Sequence, residues 1–157
     1  MPAYAATDLH LAIAHHLLVF ALAGVLAFEI GATRGTLTGK DAARIARVDA
    51  WYGILAVAIL AVGFSRAVFA AKGWDYYSHN AFFWAKISAF AVVGLLSIAP
   101  TIAFIRWRRA AKTDPGFAPA AADVARARRF LWLEVFVFAF IPAFAAAMAR
   151  GYGSFTP

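Results

Sequence analysis

Four long apolar runs dominate the chain and decide what it can fold into. Each run approaches the roughly 20 residues that an α-helix needs to cross about 30 Å of hydrocarbon. Backbone polar groups in lipid must find partners within their own segment, and these runs lack the alternating polarity of barrel strands. We therefore predict an all-α fold, an integral membrane four-helix bundle forming a single transmembrane domain over residues 1–157, with helices at Leu9–Ile30, Trp51–Ala71, Ala81–Ile105 and Phe130–Ala149.

The segments outside these runs carry signals of their own. The run Asp41–Asp49 is predicted to be a short amphipathic lead-in to helix 2, after a cap at Thr38. Pro100 and Pro142 are predicted to kink helices 3 and 4, because proline removes a backbone donor. The first apolar run is longer than the apolar part of a typical signal peptide, and no Lys or Arg precedes Arg34, so we expect this run to be retained.

Composition excludes several classes of protein. The chain is 64% hydrophobic, against about 45–50% for an average soluble domain. The absence of cysteine excludes disulfides, thiolate metal sites, iron–sulfur clusters and covalently attached c-type haem. Membrane lipid is therefore the first partner that the sequence implies.

The basic residues predict the orientation. The net charge is +7, and eleven Lys and Arg residues lie in the 1–2 and 3–4 loops, against two on the other side, Lys72 and Arg150. Because cytoplasmic loops carry the excess of basic residues, both termini are predicted to be periplasmic in a bacterial inner membrane. The same excess in a soluble protein would indicate nucleic acid, which we do not expect here as a partner.

Ionisable side chains inside the predicted spans are candidate site residues, because such groups are costly in lipid and usually functional. His15, Arg66 and Lys86 fall at similar depth in the outer half of the bundle. Tyr52 and Gly63 recur with Arg66 on one face of helix 2. These five residues are the candidate cofactor-binding residues. Arg66 has two nearby acidic candidates, which we expect in loops: Asp8 and Asp75.

This combination of residue types predicts haem b. A membrane haem needs one or two axial imidazoles and cations beside its propionates, and a glycine lets a flat macrocycle approach the backbone. His15 and His16 are the candidate metal ligands; as neighbours on a helix they point about 100° apart, so they would act singly. The second axial ligand stays open among His10, His16, His79, Lys86 and Met148.

A second polar group falls in the predicted inner half and consists of Glu29, Asp49, Tyr52, Thr101, Arg106 and Glu134. It has two interpretations: ion pairs at the cytoplasmic mouth, or a proton path or carboxylate metal site. In either case Glu29 and Glu134 are predicted to face the bundle interior, because a carboxylate against acyl chains is unfavourable.

The chain resembles a set of bacterial four-helix inner-membrane proteins known only as a domain of unknown function. The resemblance covers most of the chain and rests on five stretches, Asp49–Gly53, Gly63–Arg66, Phe83–Lys86, Gly94–Thr101 and Met148–Gly151. It implies a fold and no activity.

A more distant resemblance is to the HemJ type of membrane protoporphyrinogen oxidase. That family has a functional histidine in its first helix and a lysine opening its third, at a separation similar to that of His15 and Lys86. Its basic run before the fourth helix resembles Arg128-Arg129, and its Asn-Glu-x-Pro motif resembles the stretch around Glu134. The resemblance implies haem b and an oxidase activity. The chain departs from the family pattern at Ser97, Leu133 and Phe136.

Three functional hypotheses follow from the sequence. The first is a porphyrin- or haem b-binding inner-membrane redox protein, and within it a HemJ-like oxidase. The second is a non-catalytic accessory subunit of a larger membrane complex, or a homo-oligomer, in which small-residue and aromatic faces would be interfaces. The third is a small transporter that uses both polar groups.

Overall fold

The computed structural model describes residues 3–69 and 73–155, and describes side chains from residue 7 onward. The described residues form helices and no β-strand, apart from a single isolated β-bridge between Asn80 and Ser154. Four stretches are long and apolar enough to span a membrane, as the sequence predicted. The helices are α1 Ala3–Ala32, α2 Gly39–Phe69, α3 Gly73–Ser78, α4 Ala81–Thr113, α5 Ala121–Phe138 and α6 Phe140–Ala149.

The helices extend beyond the apolar runs, because hydropathy marks where lipid begins and not where backbone hydrogen bonding ends. Helix α2 is continuous from Gly39, so the predicted separate lead-in at Asp41–Asp49 is its first turns. Thr38 and Asp41 cap this start reciprocally: Asp41 Oδ2 accepts from Thr38 N at 2.9 Å, and Thr38 Oγ1 accepts from Asp41 N at 3.3 Å. The predicted end of helix 2 at Ala71 lies outside the described residues.

The two prolines behave differently. The fourth span divides into α5 and α6 at Ala139, three residues before Pro142, which has no N–H to offer the carbonyl of Phe138. Helix α4 runs unbroken through Pro100, which is buried against neighbouring helices. A kink at Pro142 thus becomes a helix boundary, whereas Pro100 interrupts no helix.

The packed core lies at the end of the bundle that carries the basic loops. Helix α1 packs on α2, α2 on α4, and α4 on α5 and α6. Buried apolar side chains concentrate in this half, among them Leu22, Leu26, Ile45, Phe104, Trp107 and Leu131. Large apolar residues are exposed on all four spans, for example Phe20, Val57, Leu95 and Phe136. Such a surface suits contact with acyl chains.

At the opposite end of the bundle, hydrogen bonds of Asn80 join the connection between α2 and α4 to the C-terminal segment, and we call this contact the polar latch. Asn80 is fully buried, and its Oδ1 accepts from Phe82 N at 2.9 Å, which caps α4. Its Nδ2 donates to Tyr152 O at 3.0 Å and to Ser154 Oγ at 3.3 Å. One side chain therefore holds the C-terminal segment over the start of α4.

We expect Asn80→Ala to lower the free energy of unfolding by about 1–2 kcal/mol, because an N-cap is lost. Asn80→Ser is the matched control, since its hydroxyl oxygen keeps a cap acceptor and its shorter side chain loses the bonds to Tyr152 and Ser154. Unfolding in mixed micelles should rank wild type above Asn80→Ser and Asn80→Ala lowest. Equal stability of Asn80→Ala and wild type would contradict the latch.

Candidate functional site

A cavity of about 620 Å³ opens at the end of the bundle where α1 begins and α6 ends. We call it the outer cavity, since this end is predicted to be periplasmic. Its polar wall comes from α1, α2, α3 and α4 and consists of Asp8, His15, His16, Arg66, Tyr76, Tyr77 and Lys86. Its apolar wall is mainly α6, with Ile141, Pro142, Ala145, Ala146, Met148 and Ala149, and Val19 of α1 completes it.

The structure therefore brings His15, Arg66 and Lys86 to one cavity, as their depth and helical phase indicated. Alanines at 145 and 146 leave the room that larger residues of α6 would fill. This small-residue stretch is the sequence signal that could have identified α6 as the opposite wall.

His15 occupies the space beside Gly63. A Cβ on residue 63 would lie 3.4 Å from Cε1 of His15, so the imidazole approaches the backbone of α2 closely. In this structure the His15 ring lies beside Gly63, and Gly63 does not line the outer cavity, so its role in seating a flat macrocycle stays a prediction. His15 also lines a second, smaller cavity of about 50 Å³ together with Gly63 and Lys86.

Arg66 lies opposite Asp8 at the limit of an ion pair, with 4.0 Å between Nη2 and Oδ1. Asp8 was expected in a loop, but α1 begins before it and carries it into the wall of the cavity. Neither Nε of Arg66 nor Oδ1 of Asp8 has a hydrogen-bond partner among the described residues, although both atoms are buried. The two opposite charges therefore lie near each other, but neither of these two atoms forms a hydrogen bond with a described residue.

Lys86 extends beside the ring of Phe83, with Nζ 5.4 Å from the ring centroid. This distance is within cation–π range. Among the described residues Lys86 forms no ion pair with a carboxylate. Its positive charge is therefore available to the outer cavity.

The two neighbouring histidines differ in their surroundings. His16 is exposed, and its Nδ1 donates to Ala12 O at 2.6 Å, so in the neutral ring it is Nε2 that carries the lone pair. His15 is half-buried, and its Nδ1 is buried without a hydrogen-bond partner. The ring planes are 89° apart and the centroids 6.2 Å apart. In the described part of the chain, no group of three or more His, Asp or Glu side chains is arranged to hold a metal ion.

Tyr52 lies outside the outer cavity. Its hydroxyl donates to Oε2 of Glu134 at 2.9 Å within the inner half of the bundle. Helical phase put Tyr52 on the same face as Arg66, but the separation along α2 assigns it to the inner polar group. Nearby, Thr101 Oγ1 donates to Asp49 Oδ1 at 2.8 Å.

The inner carboxyl cluster consists of Glu29, Asp49 and Glu134. These residues are 1%, 7% and 0% exposed. Glu29 and Glu134 thus face the protein interior, as predicted. Arg106, which the sequence grouped with them, pairs instead with Asp123 at 3.6 Å on the exposed rim of α4 and α5.

Four membrane-length apolar helices with lipid-facing side chains define a multi-pass membrane protein. Residues 7–153 match the family model described as Predicted membrane protein (DUF2214), and the chain belongs to that family. No curated protein and no solved structure was found to match the chain.

Proposed function

We propose that the chain is a haem b-binding redox protein of the membrane and that the outer cavity holds the haem. The observation that carries the proposal is the set of buried polar atoms without hydrogen-bond partners. Among the described side chains there are five such atoms, and three belong to residues of this cavity, Asp8, His15 and Arg66. An unsatisfied buried polar group costs about 1–3 kcal/mol, so these atoms favour a bound polar group.

The charges of the cavity indicate the kind of ligand. Arg66 and Lys86 are cationic, and Asp8 at 4.0 Å offsets only part of the charge of Arg66. The wall formed by α6 is apolar over its whole length in the cavity. An anionic amphiphile, with carboxylates at one edge and a flat apolar body, suits both walls.

The residues present fit haem b in residue type. His15 would supply an imidazole to the iron, while Arg66 and Lys86 would hold the two propionates through charge-assisted hydrogen bonds. The α6 wall would cover the macrocycle and exclude lipid headgroups. When bound, the haem would supply one-electron redox chemistry.

The same proposal accommodates the resemblance to HemJ-type oxidases. That resemblance pairs a histidine of the first helix with a lysine of the third, and His15 and Lys86 line both cavities of the outer half. We extend the proposed function to an oxidoreductase on this basis, with His15 and Lys86 as its central residues.

An absorbance spectrum tests the proposal. The full chain, expressed with ample haem supply and purified in mild detergent, should show a Soret band and a b-type pyridine haemochrome in proportion to protein. A protein of the same detergent behaviour without haem controls for free haem in micelles. Absence of porphyrin absorbance, both as purified and after haem addition, would contradict the proposal.

A further inference from the structure

The inner carboxyl cluster is a second site, at the opposite end of the bundle from the outer cavity. The two remaining buried atoms without partners are Oε1 of Glu29 and Oε1 of Glu134. Helix α1 packs against α2 and α5, which carry Asp49 and Glu134, and negative charge on either carboxyl group would act on Glu29. Like charges on these groups inside a membrane protein would repel one another.

Hydrogen-bond donors distinguish the three carboxyl groups. Glu134 accepts from the hydroxyl of Tyr52 and Asp49 accepts from the hydroxyl of Thr101. No described hydroxyl or N–H donates to the side chain of Glu29, which is 1% exposed. Glu29 is therefore the carboxyl group least able to remain charged, because nothing replaces the water that it has lost.

Two cations near this end of α1, Arg128 and Arg44, contact groups other than Glu29. Helices α2 and α5 pack against α1 and bring Asp49, Tyr52 and Glu134 toward Glu29. The guanidinium of Arg128 on α5 donates to the backbone carbonyl of Thr33 at 3.4 Å, and that of Arg44 on α2 lies 5.3 Å from the ring centroid of Phe28. In the described chain, the ion pairs of Arg and Lys lie elsewhere, at Arg66–Asp8 and Arg106–Asp123.

We propose that Glu29 is a proton-binding site, carrying a proton at neutral pH in the folded protein. A proton neutralises the Glu29 carboxyl group and so removes the charge that no donor stabilises. A metal ion fits less well, since the described His, Asp and Glu side chains form no group of three or more suited to holding one. The inference is independent of the haem, because it concerns residues that do not line the outer cavity.

Infrared spectroscopy of the full chain in lipid nanodiscs tests the assignment. At neutral pH the wild type should show the C=O stretch of a protonated carboxylic acid, and Glu29→Gln should remove this band. Glu134→Gln should retain it. Should Glu29→Gln fail to fold, Glu29→Asp should keep a protonated carboxyl band at a shifted frequency.

A matched control is Asp41→Asn, which changes a carboxyl group in the first turn of α2, at the same end of the bundle as the cluster. Asp41 accepts two hydrogen bonds from Thr38, at 2.9 Å from N and 2.6 Å from Oγ1, which suit the charged form. Asp41→Asn should therefore leave the band unchanged.

The proposal is overturned if the wild type has no such band, or if the band survives in Glu29→Gln. It is also overturned if replacing choline chloride by sodium chloride at constant ionic strength abolishes the band, since the site would then hold a metal cation.

Discussion

His15→Ala should abolish the Soret band of the haem-loaded protein or reduce it to the level of haem dissolved in detergent. The imidazole of His15 is the proposed iron ligand, and alanine offers no replacement donor at that position. The measurement is the haemochrome content per chain after purification, with circular dichroism to check that the helices are retained. An unchanged Soret band in a folded His15→Ala protein would remove His15 from the site.

His16→Ala is the control that the chain itself provides. It removes an imidazole from the same cavity and the same helix turn, and it leaves His15 in place. We expect His16→Ala to retain the band. Loss of the band in His16→Ala alone would transfer ligation to His16, whose Nε2 carries a lone pair because Nδ1 donates to Ala12 O.

Removal of a propionate partner should have a different signature from removal of the ligand. A hydrogen bond to a charged group contributes about 1.5–3 kcal/mol, so Arg66→Ala should weaken haem affinity roughly 10–100-fold. The position of the Soret band should stay the same, because the iron ligand is untouched. A shifted band at full occupancy would contradict this division of roles.

Trp107→Ala should lower the free energy of unfolding by about 3–5 kcal/mol, the usual cost of removing a buried aromatic side chain. Trp107 is 2% exposed and packs on Phe104, with 5.4 Å between the ring centroids. The packed core of the inner half closes around this pair, so the cavity left behind would not collapse fully. Unfolding in mixed micelles of rising SDS content measures the effect.

Trp132→Ala is the matched control, because Trp132 lies on the neighbouring helix α5 and is 52% exposed. Lipid or detergent can fill the space that it vacates, so we expect a much smaller loss of stability. Equal losses in the two variants would contradict the placement of the core in the inner half.

The two sites share their helices. His15 and Glu29 lie 14 residues apart on α1, and Arg66 and Tyr52 lie 14 residues apart on α2. At 1.5 Å per residue this separation is about 21 Å, or close to four helical turns. Each helix therefore presents one face to both sites, with the cofactor proposed near one leaflet and the proton near the other.

The architecture and the approximate place of each polar residue could be predicted from the sequence. Run length and hydropathy predict four spans, because lipid demands helices of a set length. The spacing of His15 and Glu29 predicts a shared inward face, and depth predicts that Arg66 and Lys86 lie near His15. These properties follow from the period and rise of a helix, which need no knowledge of neighbouring helices.

Which side chain packs into each space between the helices was decided only by the tertiary structure. Helical phase gives the face and height of a side chain, but not the neighbour that packs against it. The ring of His15 beside Gly63, the approach of Asp8 to Arg66 and the hydroxyl of Tyr52 on Glu134 all depend on how two helices cross. Helix α1 also continues past the apolar run to Asp8, since a polar residue ends a membrane span without ending the helix. For the same reason, Glu29 emerges as the carboxyl group without a donor only when the partners on α2, α4 and α5 are in place.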